Sequence, residues 1–321
     1  MNKLAPSQVS HFQLTRFLRW LKVLIYPVIF IFLVSTLLDG WNKVKDYQWQ
    51  FKPGIAVLAL SIFIIYLISV GVLITWIVRR MGLSLPYRTG LIMFLQSLLA
   101  RYIPGGIWSF ASVAMTGQEL GLPPSMLVVA LILKELFAVW ASAWFALPVI
   151  FFRFHDSPLR LDVLAAVGLV ASLILAPFLL RRAINWIIRW RKLSLELAID
   201  RITSFGGIFL TLLAFAAVQI LYLLAAFLFL LAVTDFTPAM LLYGALAMNG
   251  AWLFGLIVLF APQGIGAREA AMVFLFLPFV DAPVAIALSL GFRLMTTLGD
   301  LIMFLPLAVG ITKRRIISTE N

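Results

Sequence analysis

Apolar residues run along this chain in long continuous blocks, not in the alternation of strands or the stripes of soluble amphipathic helices. Six blocks are predicted to cross a bilayer: Trp20–Leu38, Ile55–Val78, Met126–Phe152, Leu161–Leu180, Gly207–Val233 and Pro283–Gly310. A hydrocarbon core about 30 Å thick needs ~20 apolar helical residues, and each block is of that order. The short alternating segments of a membrane barrel are absent. Two further apolar regions are interrupted. Thr89–Thr116 is split by Arg101-Tyr102-Ile103-Pro104-Gly105-Gly106, and Ala239–Leu277 by Ala261-Pro262-Gln263-Gly264-Ile265-Gly266-Ala267-Arg268-Glu269. Proline removes an amide donor and glycine weakens a helix. Broken backbone at membrane depth survives only where protein or a wet cavity satisfies it.

The expected fold is therefore an all-α polytopic membrane protein, one transmembrane domain over residues 1–321, with about six full spans and two re-entrant broken-helix hairpins. Composition agrees: 63% of residues are hydrophobic and 12% charged, against roughly 25% charged in soluble domains. There is no cysteine, which excludes disulfides and thiolate chemistry. The two histidines, His11 and His155, are far apart in sequence, so neither a metal site nor a cofactor is expected. The net charge of +12 is read as basic loops facing anionic lipid, not as a nucleic-acid surface. Arg16, Arg19 and Lys22 precede the apolar run from Val23 to Leu38, with no small-residue cleavage site after it, so this segment reads as a signal anchor.

Charge also orders the topology. If each broken region is an ordinary span, the lysines and arginines of the loops divide twelve inside to nine outside; if each is a re-entrant hairpin, they divide sixteen to five. The positive-inside rule favours the hairpins. Both termini, Gly121-Leu122 and Arg181–Arg201 are then expected in the cytoplasm, with Asp235 and Asp281 outside. The expected membrane is a bacterial inner membrane. The segment of about residues 181–201 carries Ile184, Ile187, Ile188 and Arg191 at helical spacing with Trp186 and Trp190. It is expected to be an amphipathic helix on the cytoplasmic leaflet; a plain basic loop is the alternative.

The broken regions resemble each other. Pro104-Gly105-Gly106-Ile107 aligns with Pro262-Gln263-Gly264-Ile265 at an offset of 158, and Lys134 aligns with Arg293 at 159. Residues 89–152 and 239–310 therefore read as repeat-like halves, inverted if the hairpins open to opposite sides.

Charges inside apolar segments mark the candidate site. They are Arg101, Lys134, Arg268 and Arg293, with Glu135, Glu269 and Asp300. A charge at the bilayer centre costs ~2.5–3.5 kcal/mol on insertion scales and normally faces a cavity or a partner. Each Pro-x-Gly break opens a half-helix whose first amides attract anions. Arginine suits bidentate phosphate contact. The candidate substrate-binding residues are Arg101, Pro104, Gly105, Gly106, Lys134, Pro262, Gly264, Gly266, Arg268, Glu269, Arg293 and Asp300, taking a phosphate-bearing lipid headgroup. Arg293, Thr296, Thr297 and Asp300 share one helical face, expected to line the cavity. Structural ion pairs and a polar helix seam are the competing readings.

Arg101–Trp108 and Pro262–Glu269 resemble the signature segments of the lysylphosphatidylglycerol synthase/flippase family membrane domain. Pro104, Gly105 and Gly106 match its first motif, and Pro262, Gly264, Gly266, Arg268 and Glu269 its second. The resemblance implies translocation of a lipid such as aminoacylated phosphatidylglycerol. Members that make lysyl-lipid carry a C-terminal synthase domain, and none follows Lys313-Arg314-Arg315 before Asn321. A different cargo is therefore expected, with a partner synthase or glycosyltransferase.

Three readings remain on sequence. The first is a non-enzymatic translocator of an anionic lipid or lipid-linked intermediate. It would draw on a gradient or partner, since no nucleotide-binding loop is present. The second is a membrane enzyme of glycolipid or envelope polysaccharide assembly, which usually needs paired carboxylates or a metal. The third is a scaffold for such a system.

Overall fold

The structure is a computed structural model that describes residues 38, 41–100, 108–154, 161–190, 204–257, 264 and 266–308. Among the described residues the only regular structure is helical. In chain order the helices are α1 Trp41–Asp46, α2 Pro53–Arg80, α3 Tyr87–Ala100, α4 Trp108–Glu119, α5 Pro124–Phe154, α6 Leu161–Trp190, α7 Phe205–Val233, α8 Pro238–Ile257, α9 Ala267–Phe276 and α10 Ala282–Ala308. Five of them, α2, α5, α7, α8 and α10, are long and apolar enough to cross a membrane. Proline occupies the first position of α2, α5 and α8 and the second of α10. There its fixed φ suits the helix, and its missing amide would have had no intrahelical partner. Ser204 caps α7 by accepting the Gly207 amide at 3.1 Å.

Both expected breaks fall between helices. α3 and α4 have 14 and 12 residues, each short of the ~20 that a crossing needs, and they pack against one another. The second pair is unequal. α8, with 20 residues, is long enough to cross alone, whereas α9 has 10. The expected boundary at Leu180 is also not a helix end, because α6 continues unbroken through Arg181 and Arg182 to Trp190. The block Trp20–Leu38 (except Leu38), the core of the first break at 101–107, and residues 191–201 of the basic segment lie outside the described residues.

The helix packing has an internal symmetry. Exchanging α2, α3, α4 and α5 for α7, α8, α9 and α10 carries every substantial helix contact among these eight onto another. Thus α3 packs on α10 and α8 on α5; α5 packs on α7 and α10 on α2. The most extensive interface, α2 with α7, maps onto itself. These two helices run antiparallel. The amides of Gln50 and Lys52, before α2, donate to Val233 and Ala232 at the end of α7. The other end of α2, at Arg79 and Arg80, meets the start of α7 at Gly206 and Gly207. Midway, the Tyr66 and Tyr222 rings lie 5.4 Å apart. Two antiparallel helices exchanged by a two-fold operation require an axis perpendicular to both, crossing near this tyrosine pair. α5 and α6 join through Trp140, whose Nε1 donates to Ser172 Oγ at 2.9 Å. Much of the outward surface is apolar, including Leu58 and Ile65 of α2 and Leu213 and Ile220 of α7, as hydrocarbon demands.

The antiparallel pair fixes which ends share a membrane face. Cysteines placed singly at exposed Ser84 and Ser204 should be labelled by an impermeant thiol reagent from one side only. Those at exposed Lys45 and Asp235 should react only from the other. Labelling of positions 84 and 235 from the same side would break the arrangement.

Candidate functional site

The site is built at the start of α9, where the second apolar region breaks. Gly266 precedes the helix with φ +85°, in the left-handed region that glycine enters without steric cost. The first amides of any helix lack an intrahelical acceptor. Here the chain supplies one: Glu269, three residues on, turns back so that Oε2 accepts the Gly266 amide at 2.6 Å. Its other oxygen, Oε1, accepts from Arg293 Nη1 of α10 at 3.0 Å. Glu269 is buried to 1% exposure and Arg293 to 18%. A carboxylate so placed would be costly without its counter-charge, and α9 and α10 pack along each other around the pair.

The break needs glycine for a second reason. A Cβ on Gly264, itself at φ +67°, would lie 2.4 Å from the Cα of Gly255 in α8. A Cβ on Gly255 would in turn lie 2.4 Å from Cγ of Arg268. The space beside Gly264 is therefore occupied by the chain's own backbone. Likewise the amide of Gly266, expected to attract an anionic ligand, is bonded to Glu269.

These elements enclose a small cleft of ≈ 30 Å³ between α7, α8, α9 and α10, lined by Tyr222, Met248, Trp252, Arg268, Glu269 and Arg293 among others. A cavity of that size has room for about two waters and none for a lipid headgroup, so this is a closed arrangement. Just beneath it runs a polar chain. Gln219 Nε2 donates to Asn249 Oδ1 at 2.7 Å, and Asn249 Nδ2 donates to the Ser142 carbonyl at 2.8 Å. All three residues are buried; their bonds tie α7, α8 and α5 together.

The candidate residues divide accordingly. Arg268, Glu269 and Arg293 converge on the cleft, with Thr296 beside them. Gly264 and Gly266 shape the break. Asp300, two turns along α10 from Arg293, is fully buried and is not among the residues lining the cleft; nor is Thr297. Lys134 is elsewhere, ion-paired with the adjacent Glu135 of its own helix. The position matching Glu269 at the repeat offset is Ala111, so α4 has no carboxylate where α9 carries the one that meets Arg293. Arg101, Pro104, Gly105, Gly106 and Pro262 lie outside the described residues.

Sequence reading missed Tyr222, Trp252 and the Gln219–Asn249 pair. The two amides were detectable as isolated polar side chains within apolar runs; the aromatics were not, since they resemble any other membrane-facing aromatic.

The fold and the site thus define an all-α polytopic membrane protein whose broken helix is closed by a buried ion pair. The family model for the lysylphosphatidylglycerol synthase TM region matches residues 19–303, and the chain belongs to that family. No curated protein and no solved structure matches it.

Gly264→Ala should strain the left-handed backbone, by about 1–2 kcal/mol, and press a methyl onto Gly255. A lower thermal unfolding midpoint in detergent than the parent is the expected result. A midpoint equal to the parent's would show that the glycine contact is dispensable.

Proposed function

We propose that the protein is a lipid translocator of the bacterial inner membrane, with both termini cytoplasmic. Its cargo is an anionic lipid or lipid-linked intermediate whose phosphate engages Arg293 and Arg268. The observation that carries this reading is the ion pair at the break. A helix N-terminus and a guanidinium inside the membrane are held by one internal carboxylate. Glu269 thus stands where a phosphate oxygen would stand. The chemistry suits exchange: arginine's planar fork accepts a carboxylate or a phosphate with the same donors. The antiparallel pairing of α2 and α7 supports two alternating arrangements, because repeats related in that way can trade conformations across the membrane plane. The small cleft is then the closed form, and opening between α8 and α10 would admit the headgroup.

A structural strut is the second reading, favoured by the depth of Glu269's burial. The two differ in how they respond to removal of both partners. In vesicles carrying a fluorescent phospholipid, Arg293→Gln should slow translocation at least tenfold (about 1.4 kcal/mol). Arg293→Lys should recover part of the rate, since lysine retains the charge without the bidentate geometry. Adding Glu269→Gln to Arg293→Gln should give no recovery. Full recovery in that double variant would make the pair a strut. Chemical alteration of the lipid by the wild-type chain would instead indicate an enzyme.

A further inference from the structure

A second cleft lies at the end of the bundle where α2 finishes and α7 begins, and it shares no residue with the one around Arg293. Its volume is ≈ 480 Å³, and its walls include Trp76, Arg79, Arg80, Tyr87, Gly206 and Gly207. Both arginines are held in place. Arg79 Nη1 donates to the Leu85 carbonyl at 2.9 Å, and its guanidinium carbon lies 5.2 Å from the centre of the Tyr87 ring. The guanidinium carbon of Arg80 lies 4.4 Å from the centre of the Trp76 ring. Among the described residues no carboxylate pairs with either arginine. Two adjacent cations fixed by stacking, without an acid between them, suit an anion with several oxygens.

The opposite wall supplies the rest. Gly206 and Gly207 present the first turn of a 29-residue helix, and a Cβ on Gly206 would meet nothing within 4 Å. Along α7, Gly206 is followed at i+3, i+4 and i+7 by Phe209, Leu210 and Leu213, and the same face continues to Ile220 and Leu224. All five of these apolar side chains are exposed. At 1.5 Å per residue the stripe runs ~21 Å from Gly206 to Ile220, more than half the thickness of a hydrocarbon core. A charged cleft thus opens directly onto an apolar track of acyl-chain length.

We infer that this cleft binds the phosphate-bearing headgroup of a membrane lipid, with its acyl chains lying along the exposed stripe of α7. Free phosphate offers the same headgroup chemistry but cannot use the stripe. The purified full-length chain in detergent, carrying Arg293→Gln so that the first cleft is silenced, is titrated with acyl-labelled phosphatidylglycerol. Saturable binding is expected. It should weaken at least about tenfold in Arg79→Gln/Arg80→Gln, through loss of charge-assisted bonds. Gly206→Leu should weaken it similarly by filling the cleft at a position with free space and no change of charge. Unlabelled phosphatidylglycerol should compete far better than diacylglycerol or inorganic phosphate. Unchanged binding in Gly206→Leu, or in a folded Arg79→Gln/Arg80→Gln variant, would overturn the site. Equal competition by inorganic phosphate would make it a free-anion site, and equal competition by diacylglycerol a purely apolar one; either result overturns the assignment.

Discussion

Hydrocarbon offers no partner to a peptide amide, and the second break depends on how this chain answers that constraint. Ending one helix and starting another inside an apolar region exposes donors that water cannot reach. Glu269 takes the first of them, the amide of Gly266. That choice creates a second difficulty, a carboxylate at 1% exposure, which Arg293 offsets from the neighbouring helix. The glycines follow from the same geometry. Gly264 and Gly266 both have positive φ, and a side chain on Gly264 would press on the backbone of Gly255 in α8. One unsatisfied amide thus accounts for a carboxylate and an arginine in otherwise apolar surroundings.

The symmetry of the bundle makes its asymmetry informative. The eight helices α2–α5 and α7–α10 exchange contacts as two equivalent sets, yet the charges do not follow. In the second set the ion pair joins two helices, Glu269 of α9 to Arg293 of α10. In the first, Lys134 pairs with Glu135 within α5, and Ala111 stands where Glu269 would be. A cross-helix pair resists separation of its helices and an intrahelical pair does not. Among the described residues the two halves therefore share an architecture but differ in where their ion pairs lie.

Much of this was legible in the residues themselves. Apolar block lengths located α2, α5, α7 and α10 to within a few residues, since a bilayer imposes length directly on sequence. The Pro-x-Gly cluster located the second break for a similar reason: no other residues are so costly in a helix interior. The offset between the breaks suggested repeat-like halves. Arg268, Glu269 and Arg293 stood out because charge in an apolar block is expensive and so rarely incidental.

What the sequence could not decide was which charge meets which. Glu269 and Arg293 are 24 residues apart and Lys134 and Glu135 are neighbours; spacing alone made all of them equal candidates for one cavity. Partner choice depends on where α9 and α10 approach each other, which is set by packing across the bundle. The same holds for Gly264, a candidate ligand residue in sequence whose free side is filled by Gly255. The continuation of α6 past Leu180 and the antiparallel meeting of α2 with α7 are also tertiary decisions. The sequence by itself determined that the chain is helical, membrane-embedded and broken at Gly264–Gly266, because solvent and backbone chemistry act on every residue locally. The tertiary structure alone determined the closure of the second break, because an ion pair exists only where two helices bring its halves within hydrogen-bond reach.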